Sequence, residues 1–397
     1  MNPFKSIPNI SYEVWHLAVR NLFSGGLRTI LNTIIISVVF AFIVFLQSFY
    51  SGFGLQMEVA RIEQETGSSQ LWASGFDPGD PSTYMDSSRP PPRLTQRETE
   101  KGSATALLFH GATLYHRGNV SPVAMAGIDA HQSVLHIDFG FAEHFSDPSV
   151  VIGRGFANTY KLEKGDRILL RWQTYAGAHE AIYFTVANIF HTDAPAMDSG
   201  KIWFDLDKLR DLLGSARVAH KVIFSQAEKR EAPGWAYKNL DVLLEDTRKM
   251  IRAKSGGAFF IYGILIFMAS VTLLDTQFLS VFRRRKEVGL LMALGLTPRQ
   301  VSLLFTIEGV LQGILGVLIG GSLGATAVLV LETHGIKLVD LKSFGMAGTD
   351  KIYPYFDGVI FMFTCVLFVL ISAFVSYYPS RRISSLTPAE AMRGKWL

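Results

Sequence analysis

The chain has 397 residues, 49% of them hydrophobic and 18% charged, with a formal net charge of +4. The positive charge sits beside apolar runs and not on a polar domain, which excludes nucleic acid as a partner. The single cysteine, Cys365, lies inside an apolar run, so the sequence offers neither a disulfide framework nor a thiolate metal site.

Residues 10–28 place Ile10, Val14, Leu17, Ala18 and Leu22 at helical spacing, with Trp15 beside them. This predicts an amphipathic helix in the inner membrane interface, within a cytoplasmic N-terminal segment 1–28, ending at a Gly25-Gly26 break. Four runs then reach the roughly 20 residues needed to cross about 30 Å of hydrocarbon. They are 29–50, 258–282, 301–331 and 356–378. The first starts too late and runs too long for a signal peptide, and reads as an uncleaved anchor.

Residues 51–257 are too many for a loop and of globular composition, and predict a folded domain. Within it, 77–93 carries Pro78, Pro81, Pro90, Pro91 and Pro92 and reads as an extended, mobile loop. Val150-Val151-Ile152 reads as a strand ended by Gly153, 168–172 and 182–189 as further strands, and 205–213 as a helix with Leu206, Leu209 and Leu213 on one face. The class is mixed α+β.

The connection at 282–301 sets Arg283, Arg284, Arg285, Lys286 and Arg299 against Glu287 alone. With the N-terminal segment and the tail 379–397, one side of the membrane collects twelve basic and three acidic residues. The short loop 332–355 is balanced. The charge rule therefore puts both termini in the cytoplasm and residues 51–257 outside. The fold class that follows is an α-helical membrane protein with four transmembrane helices and a large mixed α+β extracytoplasmic domain between helices 1 and 2.

Residues 287–294 read as a short cytoplasmic helix stopped by Gly295, after which Thr297, Pro298 and Gln300 start the third span with a capping box. Thr387, Pro388 and Glu390 cap a second short helix at 389–393. Gly309, Gly313, Gly316, Gly320 and Gly324 share one face of the third span, where a neighbouring backbone packs closely. Two acids fall within spans, Asp275 and Glu308. Both lie near the inner surface and its arginines, which favours structural pairing over an ion relay. No phosphate-binding Gly-rich loop, no HExxH and no defensible Ser/His/Asp set is present, and the histidines at 110, 116, 131, 136 and 144 lack ligand spacing.

Arg285, Glu287-Val288-Gly289, Ala293-Leu294-Gly295, Glu308 and the glycine series resemble the permease domain of the MacB/FtsX family, the membrane subunits of type VII ABC transporters. The tail from Tyr378-Pro379-Ser380-Arg381-Arg382 to Thr387-Pro388-Ala389-Glu390-Ala391-Met392-Arg393 resembles the family's closing pattern, with Met392 for the usual leucine and Ile383 for the usual alanine. Ala126-Gly127-Ile128-Asp129, Val150–Gly153 and Lys164-Gly165-Asp166 resemble its periplasmic core domain. Length and layout are closest to the lipoprotein-releasing (LolC/LolE-like) members.

The resemblance implies a separate ABC ATPase in two copies, which would carry the ATP and Mg, and a second permease copy or related permease. This chain would be non-catalytic and without a cofactor. Arg285, Glu287, Val288, Gly289, Leu291, Met292 and Gly295 would form the coupling helix that docks the ATPase. Membrane lipids and a periplasmic chaperone or adaptor are further implied partners, in a bacterial inner membrane. The implied activity is mechanical: ATPase closure moves the outer domain, which releases lipoproteins or another amphiphile. The alternatives are peptide or drug export through a tripartite duct, and FtsX-like signalling to a cell-wall hydrolase.

Overall fold

A computed structural model describes residues 10–24, 26–141, 148–215, 217–337 and 351–381. The chain divides into two compact units. One is built from the described residues of Met1–Phe53, Arg252–Ile336 and Tyr353–Leu397, the other from Gly54–Ile251 with Lys337, Lys351 and Ile352.

Helix α1 (Ile10–Ser24) ends where expected, and α2 (Gly26–Arg61) opens on Gly26 at φ +65°, a left-handed conformation that only glycine adopts cheaply. A single π-helical turn (Ile62–Thr66) follows, already within the second unit.

That unit carries β1 (Ser69–Ala73), α3 (Arg93–Glu100), β2 (Ala104–His116), β3 (Asn119–Ile128), β4 (Ser149–Gly153), α4 (Arg154–Tyr160), β5 (Arg167–Gln173), β6 (His179–Phe190), α5 (Pro195–Asp198), β7 (Lys201–Asp205), α6 (Leu206–Leu213), β8 (Lys221–Phe224) and β9 (Trp235–Asn239). The strands form one sheet in the order β3-β7-β4-β6-β5-β2-β8-β1-β9, and β2 pairs again with β3. Six strands thereby close into a ring, from which β8, β1 and β9 extend. The length of β2 makes this possible: residues 104–107 pair with β8, 107–116 with β3 and 112–115 with β5.

Over β4, β7, β8 and the first half of β2 both faces of the sheet are buried, whereas β5 alternates and β9 stays open. Leu108, Met125, Val150, Ile152, Ile202 and Val222 enter one core, and their neighbours Leu107, Ala126, Val151, Trp203 and Ile223 enter the other. Leu206, Leu209 and Leu213 of α6 cover the first face, with Asp205 capping the helix through the Asp207 and Lys208 N–H groups.

The proline-rich stretch 77–93 is not an extended, mobile loop. Asp80 caps a 3-10 turn at Pro81–Tyr84, Tyr84 is buried against Phe76, Phe109 and His220, and Arg89 pairs with Ala219. The ring of Tyr84 supplies the burial that the prolines alone do not advertise.

His220 is fully buried. Its Nδ1 accepts from the Phe109 N–H at 3.0 Å, and its Nε2 donates to the Tyr84 carbonyl at 2.8 Å. This fixes the neutral tautomer, and burial pushes the pKa down to about 4. The stabilisation is complete above the unfolded value near 6.5 and is lost as pH falls through about 4. We expect denaturation midpoints of the intact chain, followed by tryptophan fluorescence, to drop by roughly 3 kcal/mol equivalent between pH 7.5 and 4. His220→Gln should flatten that dependence.

The remaining helices are α7 (Leu240–Arg283), α8 (Arg285–Ala293), α9 (Pro298–His334) and α10 (Gly358–Arg381). Helices α2, α7, α9 and α10 are long and apolar enough to cross a membrane. They share a core of Ile36, Phe40, Val44, Ala269, Leu273, Val317, Phe368 and Val375. Phe259, Phe260, Phe267, Val359, Phe363 and Phe374 point outward, as side chains in contact with hydrocarbon do. Polar pairs tie the helices together: Asn32 to Thr276 at 2.6 Å and Gln47 to Thr364 at 2.8 Å. Helix α7 begins at Leu240, well before its apolar run, and α10 continues through Pro379 to Arg381. The capped tail helix expected at 389–393 lies outside the described residues.

Candidate functional site

The link between α7 and α9 is a helical hairpin. Arg284 leaves helical geometry (φ −95°, ψ 13°) and so separates α7 from α8. Gly295, at φ +104°, ends the turn after α8. Thr297 then starts α9 with a complete capping box: its N–H donates to Gln300 Oε1 at 2.8 Å, its hydroxyl accepts from the Gln300 N–H, and Pro298 takes the first helical position.

Three expected site residues turn inward. Val288 and Met292 sit one turn apart and pack with Val281, Val301 and Phe305, while Gly289 is buried beside them. Leu291 is partly buried against the pair Ala18 and Leu304. The apolar docking face expected from Val288, Leu291 and Met292 is therefore corrected: α8 lies back on α9, and those side chains hold the hairpin shut. The opposite face carries Glu287, Leu290 and Leu294, spaced three and four residues apart. Leu290 is 59% exposed and Leu294 73%. These two leucines lie four and eight residues past Lys286, and periodicity alone does not separate them from the buried Val288 and Met292, which are equally apolar. Arg285 is the first residue of α8.

Arg284 is the residue that sequence reasoning left unassigned. Its Nε contacts Glu287 Oε2 at 2.8 Å, its Nη1 contacts Glu308 Oε2 at 3.0 Å, and its guanidinium lies over the Phe305 ring at 5.4 Å. One cation thus joins the first turn of α8 to the third turn of α9. Glu308 pairs structurally, whereas Asp275 is exposed on α7. Removing one partner of a shielded pair leaves the other charge uncompensated. We expect Arg284→Ala to cost about 2–3 kcal/mol, and the Arg284→Ala/Glu308→Gln double variant to cost clearly less than the sum of the singles. A double-mutant cycle on unfolding midpoints in detergent measures this.

Above the hairpin, the five glycines are buried along α9. A Cβ added at Gly309 would meet Ser376 and Gln277, and one at Gly313 would meet Ser372. At Gly316 it would meet Ile36, at Gly320 the Ser37 carbonyl oxygen at 2.3 Å, and at Gly324 the Ala41 carbonyl oxygen at 3.0 Å. The series therefore faces α10 at its start and α2 further along. Among the described residues no cluster of His, Cys, Asp or Glu is arranged to hold a metal ion.

The FtsX-like permease C-terminal family matches residues 259–388. The "Lipoprotein-releasing system transmembrane protein LolC" of Neisseria meningitidis serogroup B is 22% identical over 338 residues, covering 75% of this chain and 79% of the relative. A protein of the same description from Xylella fastidiosa (strain Temecula1) is 29% identical over 237 residues, 53% of this chain and 55% of the relative. An uncharacterized ABC transporter permease of Methanocaldococcus jannaschii is 24% identical over 132 residues, 33% of this chain and 31% of the relative. The matched family region takes in the hairpin, Glu308 and the whole glycine series, and these similarities, with four helices long and apolar enough to cross a membrane, support an ABC transporter permease of the MacB/FtsX/LolC type.

Proposed function

We propose that this chain is the mechanical membrane subunit of a lipoprotein-releasing or related amphiphile-releasing ABC transporter in a bacterial inner membrane. The observation that carries the reading is the outward face of α8, Glu287, Leu290 and Leu294, on a helix clamped to α9 by Arg284. A partner ATPase grips that face. Its closure pushes α8, and the buried Val288–Met292 stripe passes the push to α9 because a packed core does not deform continuously.

Helices α2 and α7 each begin in one unit and end in the other without a break. Each is a stiff element of backbone hydrogen bonds, suited to carry displacement along its axis. With the basic hairpin in the cytoplasm, the β-rich unit faces the periplasm and both termini lie inside. ATP and Mg bind the partner, in two copies, and a second permease completes the assembly. The lipoprotein cargo is inferred from the LolC relatives.

Depletion of the chain in its host, followed by membrane fractionation, tests the cargo. Lipoproteins retained in the inner membrane are the expected result. Drug hypersensitivity with normal lipoprotein sorting would replace this reading with efflux. Normal sorting together with a cell-wall hydrolase bound to the chain would replace it with signalling.

A further inference from the structure

The β-rich unit contains a cavity of about 470 Å³ that the coupling mechanism does not use. Lysines from three strands line it: Lys201 opens β7, Lys221 opens β8 and Lys238 lies on β9. Lys221 is held in the middle of the sheet, opposite Trp72 on one side and Leu107 on the other, and is 7% exposed. Burying an ammonium is costly unless a counter-charge or acceptors meet it.

The fold supplies little of either. Lys201 Nζ donates to the Ala196 carbonyl. Among the described residues, Lys221 Nζ has no hydrogen-bond acceptor, and neither lysine has a carboxylate within 4.0 Å. What both have is the Phe109 ring, whose centroid lies 5.7 Å from Lys201 Nζ and 5.6 Å from Lys221 Nζ. A cation–π contact offsets only part of the lost hydration. Burial accordingly depresses both amines, Lys221 to about 8, so its ammonium still dominates at neutral pH.

The acids that line the same cavity have their own partners. Glu65 pairs with Arg61 at 3.5 Å, Glu245 with Lys249 at 2.7 Å and Asp246 with Lys249 at 3.8 Å. The rest of the wall sets the polar side chains of Arg61, Thr66 and Gln70 beside an apolar and aromatic portion that includes Trp72, Phe109, Met197 and Leu243. The space far exceeds that of a bare oxyanion. Two shielded amines that share the charge of one carboxylate, Glu65, with Arg61, beside a partly apolar wall, suit a ligand with a charged head and a greasy remainder.

We propose that this cavity binds the headgroup phosphate of an amphiphile of net negative charge, with Lys201 and Lys221 contacting the phosphate oxygens and the aromatic part of the wall holding the apolar part. The site goes beyond the coupling mechanism and needs no ATPase to fill.

The test uses the full chain in detergent and trace acetylation of lysine amines with acetic anhydride, read by peptide mass spectrometry. Dihexanoylphosphatidylglycerol is expected to protect Lys201 and Lys221 at least fivefold, saturably, while the exposed Lys229 and Lys249 react unchanged. Dihexanoylphosphatidylcholine, which has no net charge, should protect at least tenfold more weakly, and inorganic phosphate should compete only at far higher concentration. Lys221→Gln should remove the protection of Lys201. Equal protection by the two lipids, or none by either, overturns the proposal and leaves Phe109, Glu65 and the Ala196 carbonyl as what accommodates the buried lysines. Inorganic phosphate protecting as strongly as the anionic lipid overturns the amphiphile and leaves a free-ion site. Because the readout is made on the wild-type chain without its ATPase, failure here leaves the transporter reading standing.

Discussion

Gly320→Leu is expected to prevent the membrane bundle from assembling. A Cβ at this position would sit 2.3 Å from the Ser37 carbonyl oxygen and 2.9 Å from its Cα. Both are backbone atoms of α2, so no side-chain rotation relieves the clash, and the helices must separate. In a bilayer the separated faces lose close packing, with no hydrophobic drive from water to restore it. Overpacking a well-filled site costs about 1–3 kcal/mol or more, and Leu adds a branched side chain to a contact already too short for one methyl. We expect loss of the monodisperse peak in detergent size-exclusion chromatography, and for Gly320→Ala a melting midpoint at least 5 °C lower. Gly263→Ala in α7 is the internal control. Nothing lies within 4 Å of its Cβ position, so the better helix former should leave the midpoint unchanged or slightly raised. A Gly320→Ala chain as stable as the Gly263→Ala chain would show that α9 and α2 do not meet as described.

Leu290→Asp combined with Leu294→Asp should abolish coupling while leaving the chain inserted and folded. Both leucines are exposed on the face of α8 that also presents Glu287, and neither contributes to the core formed by Val281, Val288, Met292, Val301 and Phe305. Two carboxylates on that face would repel an apolar docking groove and would strand charge wherever they were buried. We expect at least a tenfold loss of substrate-stimulated ATPase activity in proteoliposomes, with loss of ATPase copurification and an unchanged melting midpoint of the isolated chain. Val288→Asp is the contrasting variant: it strikes the same helix from the inside and should lower the midpoint itself. Full coupling in the double leucine variant would remove α8 as the docking element.

The contrast between these two faces shows what the sequence could and could not convey. The turn chemistry of the hairpin was legible, because Gly295, Thr297, Pro298 and Gln300 act locally and in a fixed order. Which side of α8 faces α9 was not, because Val288, Leu290, Leu291, Met292 and Leu294 are all apolar and a nine-residue helix has too few polar positions to declare a buried side. Glu308 was legible as an acid near arginines, yet its partner Arg284 was one of four consecutive basic residues, and only the break in the helix at that residue singles it out.

In the β-rich unit, the strands at 150–152, 168–172 and 182–189 were readable. The closed ring was not, since it depends on β2 pairing with both β3 and the distant β5, and on β3 pairing with β7. The cavity lysines were hidden for a related reason. Lys201, Lys221 and Lys238 lie on strands distant in sequence, and each one alone reads as an ordinary surface charge.

The two-sided seam of α9 limits how any push can travel. Gly309 and Gly313 seat the helix against α10, and Gly316, Gly320 and Gly324 seat it against α2. A rod threaded through two nuts at different heights cannot spin without stripping one of them. Axial rotation of α9 is therefore closed off, and its low-cost motions are those in which α2, α9 and α10 travel as one block. The pivots of such a block lie where α9 ends, at the two positive-φ glycines, Gly295 and Gly335.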